Sequence, residues 1–433
     1  MQRYSDYVNY PIKLEVTKKN GEQIERAFEQ VNRASALWQR PKAEITDEQY
    51  TDFYKHLTRD FEAPLGRAHF RVEGTQEFVG LLYVPGRPPF DLDDPRRRRG
   101  VRLFVRRVFI MDDCEEILPP WLRFVRGVVD SDDLPLNVSR ELLQDSAILK
   151  AIRKQVTKQT LSLLDEMAKE RPDDYAKFWS AFGVVLKEGL ALDHEQADKL
   201  GALVRYETSR GEGTTSLTDY VARMPEGQEA IYYISGESKQ AVAGSPHTEA
   251  LRARGYEVLY MTDPVDEWAV VGLGEFAGKK LVSAMRASLP MKETDEEKKD
   301  AEKQAEALAP LTTRIAKVLE QRVRDVKVSH RLTESPCCLV VADGAAAPHL
   351  ERLLRERGKS APQPKRIFEV NPTHPVIKSL ADLLARDPDA ARIDEWIEVL
   401  FDQALLAEGG QLDDPSRFAK RVASLLTMAA GGS

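Results

Sequence analysis

Little in this sequence invites a disulfide, a metal or a membrane. Its 433 residues include three cysteines, Cys114 alone and Cys337 beside Cys338. That is neither a disulfide framework nor a zinc spacing, so a reducing cytoplasm is the expected location. Seven scattered histidines form no metal constellation. No apolar run approaches the ~20 residues that cross a bilayer. Met1 to Tyr10 is polar and aromatic, unlike a signal peptide. There is no Gly-rich phosphate loop of the Walker or dinucleotide type, no Ser/His/Asp set that can be assembled, and no internal repeat. A net charge of -7, with both signs interspersed, argues against a dedicated nucleic-acid or membrane partner.

What is present is a chain 42% hydrophobic and 31% charged. That fits a folded protein of about two to four domains. Ile12 to Val16 alternates as a half-buried strand does, and Asn20-Gly21 supplies a turn. Trp38, before Pro41, is a packing anchor if buried and a binding candidate if exposed. Thr46 and Gln49 form a capping box for a helix carrying Tyr50, Phe53, Tyr54 and Leu57. Strands are expected at His69–Val72, Gln76–Val84 and Val101–Ile110. A stiff loop, Pro85 to Leu92, joins the last two and leads to Arg96-Arg97-Arg98-Arg99. Without interleaved aromatics that run reads as a solvated hairpin tip rather than a phosphate site.

Leu118–Phe124 reads as helical, and a long amphipathic helix follows from Ser146. Further helices are expected through Tyr175–Phe182 and Leu200–Tyr206. Ala230–Ile234 and Glu257–Met261 read as strands around a helix, His247–Arg254. That is a βαβ signature and implies a small parallel sheet. Between Lys292 and Lys303 the chain is almost wholly charged, which suggests a domain boundary. Strands at Val326–Arg331, Cys337–Val341 and Lys365–Val370 surround an amphipathic segment, Ala345–Arg357. Two helices follow, Ile393–Leu406 and one from Pro415. Their apolar stripes include Trp396, Leu400, Phe401 and Leu405, then Phe418, Val422 and Leu425. Such stripes either pack on their own domain or form a four-helix bundle between two subunits. The pattern as a whole is that of a multi-domain α/β protein.

The stretch Asp130 to Gln144 is an acidic, Pro-containing loop entering a helix. Ser139 is a candidate N-cap, with Asn137 competing. Arg140 then lies in the first turn, the unfavourable end of the helix dipole for a cation. It either pairs with Glu141, Asp145 or the acidic loop, or reaches an anion on another domain.

Several motifs resemble the ninety-kilodalton heat-shock chaperones, most closely the bacterial members. They are Leu134-Pro135-Leu136-Asn137-Val138-Ser139-Arg140-Glu141, Phe104 to Ile110, Ser216 to Tyr220, Ile231 to Ser238, and Asn371 to Pro375. The resemblance runs in order over nearly the whole chain. It implies a middle domain, 1–292, of two αβα units (1–145 and 216–292) joined by helices (146–215). A charged linker, 293–310, and a mixed α/β C-terminal dimerisation domain, 311–433, ending in a helical bundle, complete it. No residues resemble the family's amino-terminal ATP-binding domain, so a piece of a longer protein is expected. The last residues lack the acidic co-chaperone pentapeptide of eukaryotic cytosolic members.

By the same resemblance Arg140 matches the arginine that reaches the γ-phosphate of ATP, and Gln144 the glutamine one turn on. Arg87 and Phe90 fall in the loop that contacts the amino-terminal domain. Trp38, Glu267, Trp268, Ala346, Leu350, Leu353 and Leu354 match positions linked to client proteins. Bacterial relatives often carry methionines where this chain has Ala346 and Leu350, and leucine is less adaptable. The implied partners are clients, a second copy of the chain, the amino-terminal domain and other chaperones. The implied cofactors, ATP and Mg, belong to that missing domain and none to this chain. It is expected to hydrolyse no ATP by itself. A nucleotide or phosphotransfer enzyme using Arg140, or a passive dimeric scaffold, are the competing expectations.

Overall fold

The computed structural model describes all residues except 1–5, 8–9, 21–22, 33–34, 90–91, 93–99, 136–146, 292–293, 346–347, 357–363 and 432–433. For 17–20, 23–27, 353, 356, 391 and 428–431 it describes the backbone alone. The chain divides into two compact units, residues 1–203 and 204–433.

The first unit opens with an antiparallel ribbon, β1 (Lys13–Asn20) and β2 (Gln23–Gln30). Helix α1 (Asp47–Thr58) carries both halves of the expected capping box. Thr46 Oγ1 accepts from Gln49 N (3.3 Å), and Gln49 Oε1 from Thr46 N (3.1 Å). A five-stranded sheet follows, built from β3 (Gly66–Val72), β4 (Phe78–Val84), β5 (Val101–Val105), β6 (Val108–Cys114) and β7 (Arg126–Ser131). The spatial order is β3-β4-β7-β5-β6, with only β5 and β7 parallel. Strand β4 is buried along its whole length, so its apolar residues run on rather than alternate. Val79, Leu81 and Tyr83 pack with Trp38, Tyr50, Phe53 and Tyr54. Three helices complete the unit: α2 (Ala147–Glu170), α3 (Pro172–Leu192) and α4 (Ala197–Leu203). Gly127 sits at φ +152°, and a Cβ there would lie 2.2 Å from Leu81 O, so β4 and β7 can approach only through glycine.

The second unit holds a six-stranded sheet of β8 (Arg205–Thr208), β9 (Thr214–Ser216), β10 (Ile231–Ser235), β11 (Val258–Met261), β12 (Glu275–Phe276) and β13 (Lys279–Ser283). Its order is β12-β13-β10-β11-β8-β9. Strand β10 runs parallel to β11 and β13, as the βαβ pattern predicts. The helices here are α5 (Leu217–Ala222), α6 (Lys239–Ala243), α7 (Glu249–Ala253) and α8 (Asp266–Leu273). The charged stretch folds as α9 (Asp295–Ala307), which buries no side chain. After α10 (Ala309–Val318) come β14 (Val323–Val328), β15 (Cys337–Val340), α11 (Pro348–Glu356) and β16 (Arg366–Val370). Their sheet order is β14-β16-β15. Helices α12 (Pro375–Arg386), α13 (Ala391–Ala407) and α14 (Pro415–Gly431) end the chain.

Four segments differ from the sequence expectation. Val101–Ile110 is a hairpin, because Arg106 and Arg107 both take positive φ, 50° and 68°, in a two-residue turn. Such turns normally advertise themselves with Asn or Gly. Leu118–Phe124 forms only a 3-10 turn, Pro120–Leu122, which starts at the second of two consecutive prolines. Leu200–Tyr206 is helical to Leu203 and then becomes β8, paired with β9 and β11. The helix at His247–Arg254 begins as a 3-10 turn, Pro246–Thr248.

Candidate functional site

In the first unit the sequence is organised by a buried carboxylate. Asp130 is 1% exposed at the end of β7. A carboxylate so buried needs donors, and it has three. Trp38 Nε1 (2.9 Å) and Gln39 Nε2 (2.8 Å) donate to Oδ2, and the Arg107 amide (3.0 Å) donates to Oδ1. Asp130 thereby holds the strained Arg106-Arg107 turn. Arg106 closes the arrangement from the other side, its Nε donating to Asp132 O (3.0 Å). The backbone beyond stays pinned: Asp132 N donates to Glu77 O (3.1 Å), and Glu77 N to Asp133 Oδ2 (2.6 Å). Leu134 is buried. Residues 136–146, with Asn137, Ser139, Arg140 and Gln144, lie outside the described residues, as do Phe90 and Arg96 to Arg99. Arg87 is exposed and pairs with Asp60 (3.0 Å) and Glu62 (3.7 Å).

Trp38 is 0% exposed. Its ring packs against Tyr7 (4.6 Å between centroids), Phe104 (4.8 Å) and Phe53 (5.7 Å). The reading of Trp38 as a client-facing side chain is corrected: it is a packing anchor that also supports Asp130. Its carbonyl faces His69 Nε2 (2.8 Å). A carbonyl only accepts, so Nε2 carries the proton and Nδ1 accepts from Tyr50 Oη (2.7 Å). Burial lowers the affinity of this imidazole for a second proton.

In the second unit Glu267 and Trp268 start α8. Glu267 is also buried, and its Oε1 has no hydrogen-bond partner among the described residues. Burial raises its carboxyl above the ordinary range. It is a buried carboxyl rather than a surface charge, whereas Trp268 is half-buried. On α11, Leu350 and Leu354 are half-buried; Ala346 and the Leu353 side chain lie outside the described residues.

Helix α11 is held at its base by ions. Arg366 on β16 bridges Glu351 (2.9 Å) and Glu408 (3.0 Å), while His247 Nε2 lies 3.6 Å from Glu408 Oε1. Arg352 pairs with Glu237 and donates to Gly409 O (3.3 Å). Two buried carboxylates thus share one guanidinium, and neither nitrogen of His247 makes a hydrogen bond among the described residues. Burial first, then the Glu408 charge, raise the Glu351 carboxyl, against the opposing pull of Arg366. The sign follows from linkage. A carboxyl raised in the folded state favours folding below its unfolded value, and that contribution is lost as pH rises through the folded value. Glu249 does the opposite. Its carboxylate accepts from the amides of Thr333 (2.6 Å), Glu334 (2.8 Å) and Ser335 (3.1 Å). Burial raises it but these bonds outweigh burial, so its pKa falls below the ordinary 4.5. Its contribution is present above that value and is lost as pH falls through the lowered one. The resistance of this unit to melting is therefore expected to increase as pH falls towards ~4.5 through Glu351, and Glu351→Gln is expected to flatten that limb. An unchanged limb in the variant would remove Glu351 from the effect.

Two apolar residues of α13 assigned to a subunit interface face inward instead. Leu400 and Phe401 are buried in the unit's own core, with Phe368 and Ile397. The Arg322 guanidinium lies 3.9 Å above the Phe401 ring. Trp396 and Leu405 are half-buried on the same core. On α14, Leu425 is buried and Phe418 and Val422 are half-buried. Among the described residues of these two helices the exposed large apolar side chains are Leu406 and Leu426, the latter 64% exposed.

Among the described residues no group of three or more His, Cys, Asp or Glu is placed to hold a metal ion, and no helix is long and apolar enough to cross a membrane. Sequence reasoning gave no role to Asp130, His247 or Arg331. For Asp130 a signal existed: an acid following Val128-Val129 at the end of a buried strand requires donors.

Residues 16–433 match the sequence model of the Hsp90 protein family. The chain belongs to the Hsp90 family. It is 62% identical to the chaperone protein HtpG of Myxococcus xanthus, over 99% of this chain and 66% of that protein. It is 46% identical to the chaperone protein HtpG of Geobacter sulfurreducens, over 98% of this chain and 68% of the relative. The corresponding figures for the chaperone protein HtpG of Magnetococcus marinus are 50%, 98% and 69%. This Hsp90-family chain spans about two thirds of the length of the curated relatives it matches.

Proposed function

We propose that this chain is the client-binding, dimerising part of an ATP-driven chaperone and supplies Arg140 to an ATPase domain outside it. The observation that supports this most is the 62% identity, over 99% of the chain, to a chaperone protein HtpG. The chemistry suits the residue. A planar, permanently charged guanidinium stabilises charge on a transferring phosphoryl group. Gln144, four residues on, would share its helix face. The Asp130 anchor and the bonds of Asp132 and Asp133 to Glu77 hold the described backbone that leads towards Arg140. ATP and Mg would be held by the other domain. The test is hydrolysis by the purified chain. This reading predicts none without that domain, whereas turnover or tight ATP binding by the chain alone would favour a nucleotide enzyme.

Clients are expected to be unfolded or near-native proteins, met at Trp268 and along α11 by Leu350 and Leu354. A passive scaffold would dimerise without client affinity. Dimerisation is assigned to α14 and the end of α13, where Leu406 and Leu426 are exposed. The core role of Ile393, Ile397, Leu400 and Phe401 shifts the informative cut. Removing everything after Ala390 would unfold the unit, whereas removing residues from Asp414 onwards, or Leu426→Asp, leaves that core intact. The chain is expected to sediment as a dimer at micromolar concentration, and Leu426→Asp to weaken association by roughly tenfold or more, the order of one leucine's burial. An unchanged dimer in both variants would place the interface elsewhere.

A further inference from the structure

The carboxylate of Asp130 meets three neutral N–H groups and, among the described residues, no cation. A charge 1% exposed on those terms is unfavourable. It is held beside a second unfavourable feature, the Arg106-Arg107 turn with both φ positive. One of the three donors differs from the other two. The Trp38 indole belongs to the core and the Arg107 amide to the backbone, whereas Gln39 is a half-buried side chain. Its Nε2 donates to Asp130 Oδ2 (2.8 Å), and its Oε1 accepts from Arg71 Nη2 (3.1 Å). A carboxylate only accepts and a guanidinium only donates, so the two contacts fix which end of the amide faces which group. Arg71, exposed on β3, also donates to Gln39 O (3.4 Å). The charge of Arg71 thus acts on Asp130 through one amide, each bond polarising the other. Oδ2 takes the two side-chain donors and Oδ1 the Arg107 amide, so a turn of this carboxyl group disturbs the hairpin and the end of β7 together. The chain then passes Asp132 and Asp133, both tied to Glu77, towards Arg140.

We propose that Gln39 is a positioning residue for Arg140, acting through Asp130, with Arg71 setting the direction of its amide. The inference rests on the reading of Arg140 given above and adds to it two residues remote in sequence from the loop. A reacting group is only as well placed as the side chains that hold its backbone, and small misplacements lower rates while binding persists.

The test measures ATP turnover, the KM for ATP and nucleotide affinity in a chain that includes the ATP-binding domain. Gln39→Met keeps the length and removes the donor, and is expected to lower turnover roughly three- to tenfold with KM and affinity unchanged. Gln39→Glu keeps the shape but sets a carboxylate against Asp130, so a larger fall than with Gln39→Met is expected. Arg71→Met is expected to lower turnover about two- to threefold, by freeing the amide. Gln39 is half-buried and Arg71 exposed, so circular dichroism should show unchanged folding. If Arg140→Ala lowers turnover while both Gln39 variants match the parent, the positioning role is wrong and the Arg140 reading stands. If Arg140→Ala changes nothing, the reading beneath falls as well. Equal losses of turnover and affinity, or lost helix and strand signal, would make Gln39 a structural residue and overturn the proposal.

Discussion

Arg140→Ala, in a chain that includes the ATP-binding domain, is expected to lower ATP turnover by roughly 10²-fold or more. Nucleotide affinity is expected to change by no more than about twofold, because the guanidinium is needed chiefly where charge develops in the transition state. Arg140→Lys is not a conservative substitute. A lysine keeps the charge but loses the planar fork, so most of the loss should persist. Rates and affinities measured side by side separate the possibilities. Equal losses in both would mean general binding or misfolding, and an unchanged rate would remove Arg140 from the reaction. A second variant probes the root of the loop. Asp130→Asn keeps the shape but removes the charge that Trp38, Gln39 and the Arg107 amide converge on.

Arg331→Ala is expected to produce the largest loss of stability, roughly 3–5 kcal/mol in the second unit. Arg331 is buried, and its guanidinium reaches three carbonyls: Ala284 (2.7 Å), Arg286 (2.8 Å) and Ala287 (3.2 Å). It also pairs with Glu369 Oε2 (3.0 Å), which accepts from Ser329 Oγ (2.8 Å) as well. One side chain therefore joins the loop after β13 to the β14-β16-β15 sheet. Alanine would leave Glu369 as a buried charge without its counter-ion and withdraw donors from all three carbonyls. Lysine, with a single ammonium, cannot span four acceptors and should recover only part of the loss. Urea unfolding measures it. A cost below about 1 kcal/mol would show that water or neighbouring groups take over these bonds, and that Arg331 is not the link.

How much of this was readable beforehand depended on the range of the interaction. The capping box at Thr46 and Gln49, the βαβ pattern and the apolar run of β4 are local, and all three appear as expected. The Arg106-Arg107 turn was hidden because its support comes from Asp130, 23 residues away and acting on the Arg107 amide. Trp38 illustrates a different limit. A tryptophan before a proline turn is equally compatible with core and surface, and only the packing of Tyr7, Phe53 and Phe104 around it decides. The stripe on α13 is plain in the sequence. That its own sheet covers Leu400 and Phe401 is a tertiary fact that periodicity does not encode. The ionic base of α11 draws on residues from His247 to Glu408, too far apart in the chain for any motif to register.

The central proposal is that this chain supplies Arg140 to an ATP-binding domain. The most direct measurement adds it to the separately purified amino-terminal ATP-binding domain of the HtpG of Myxococcus xanthus and follows phosphate release. Release is predicted to rise above that of the domain alone with this chain, and to fall back with its Arg140→Ala variant. No rise, or an equal rise with the variant, would contradict the account.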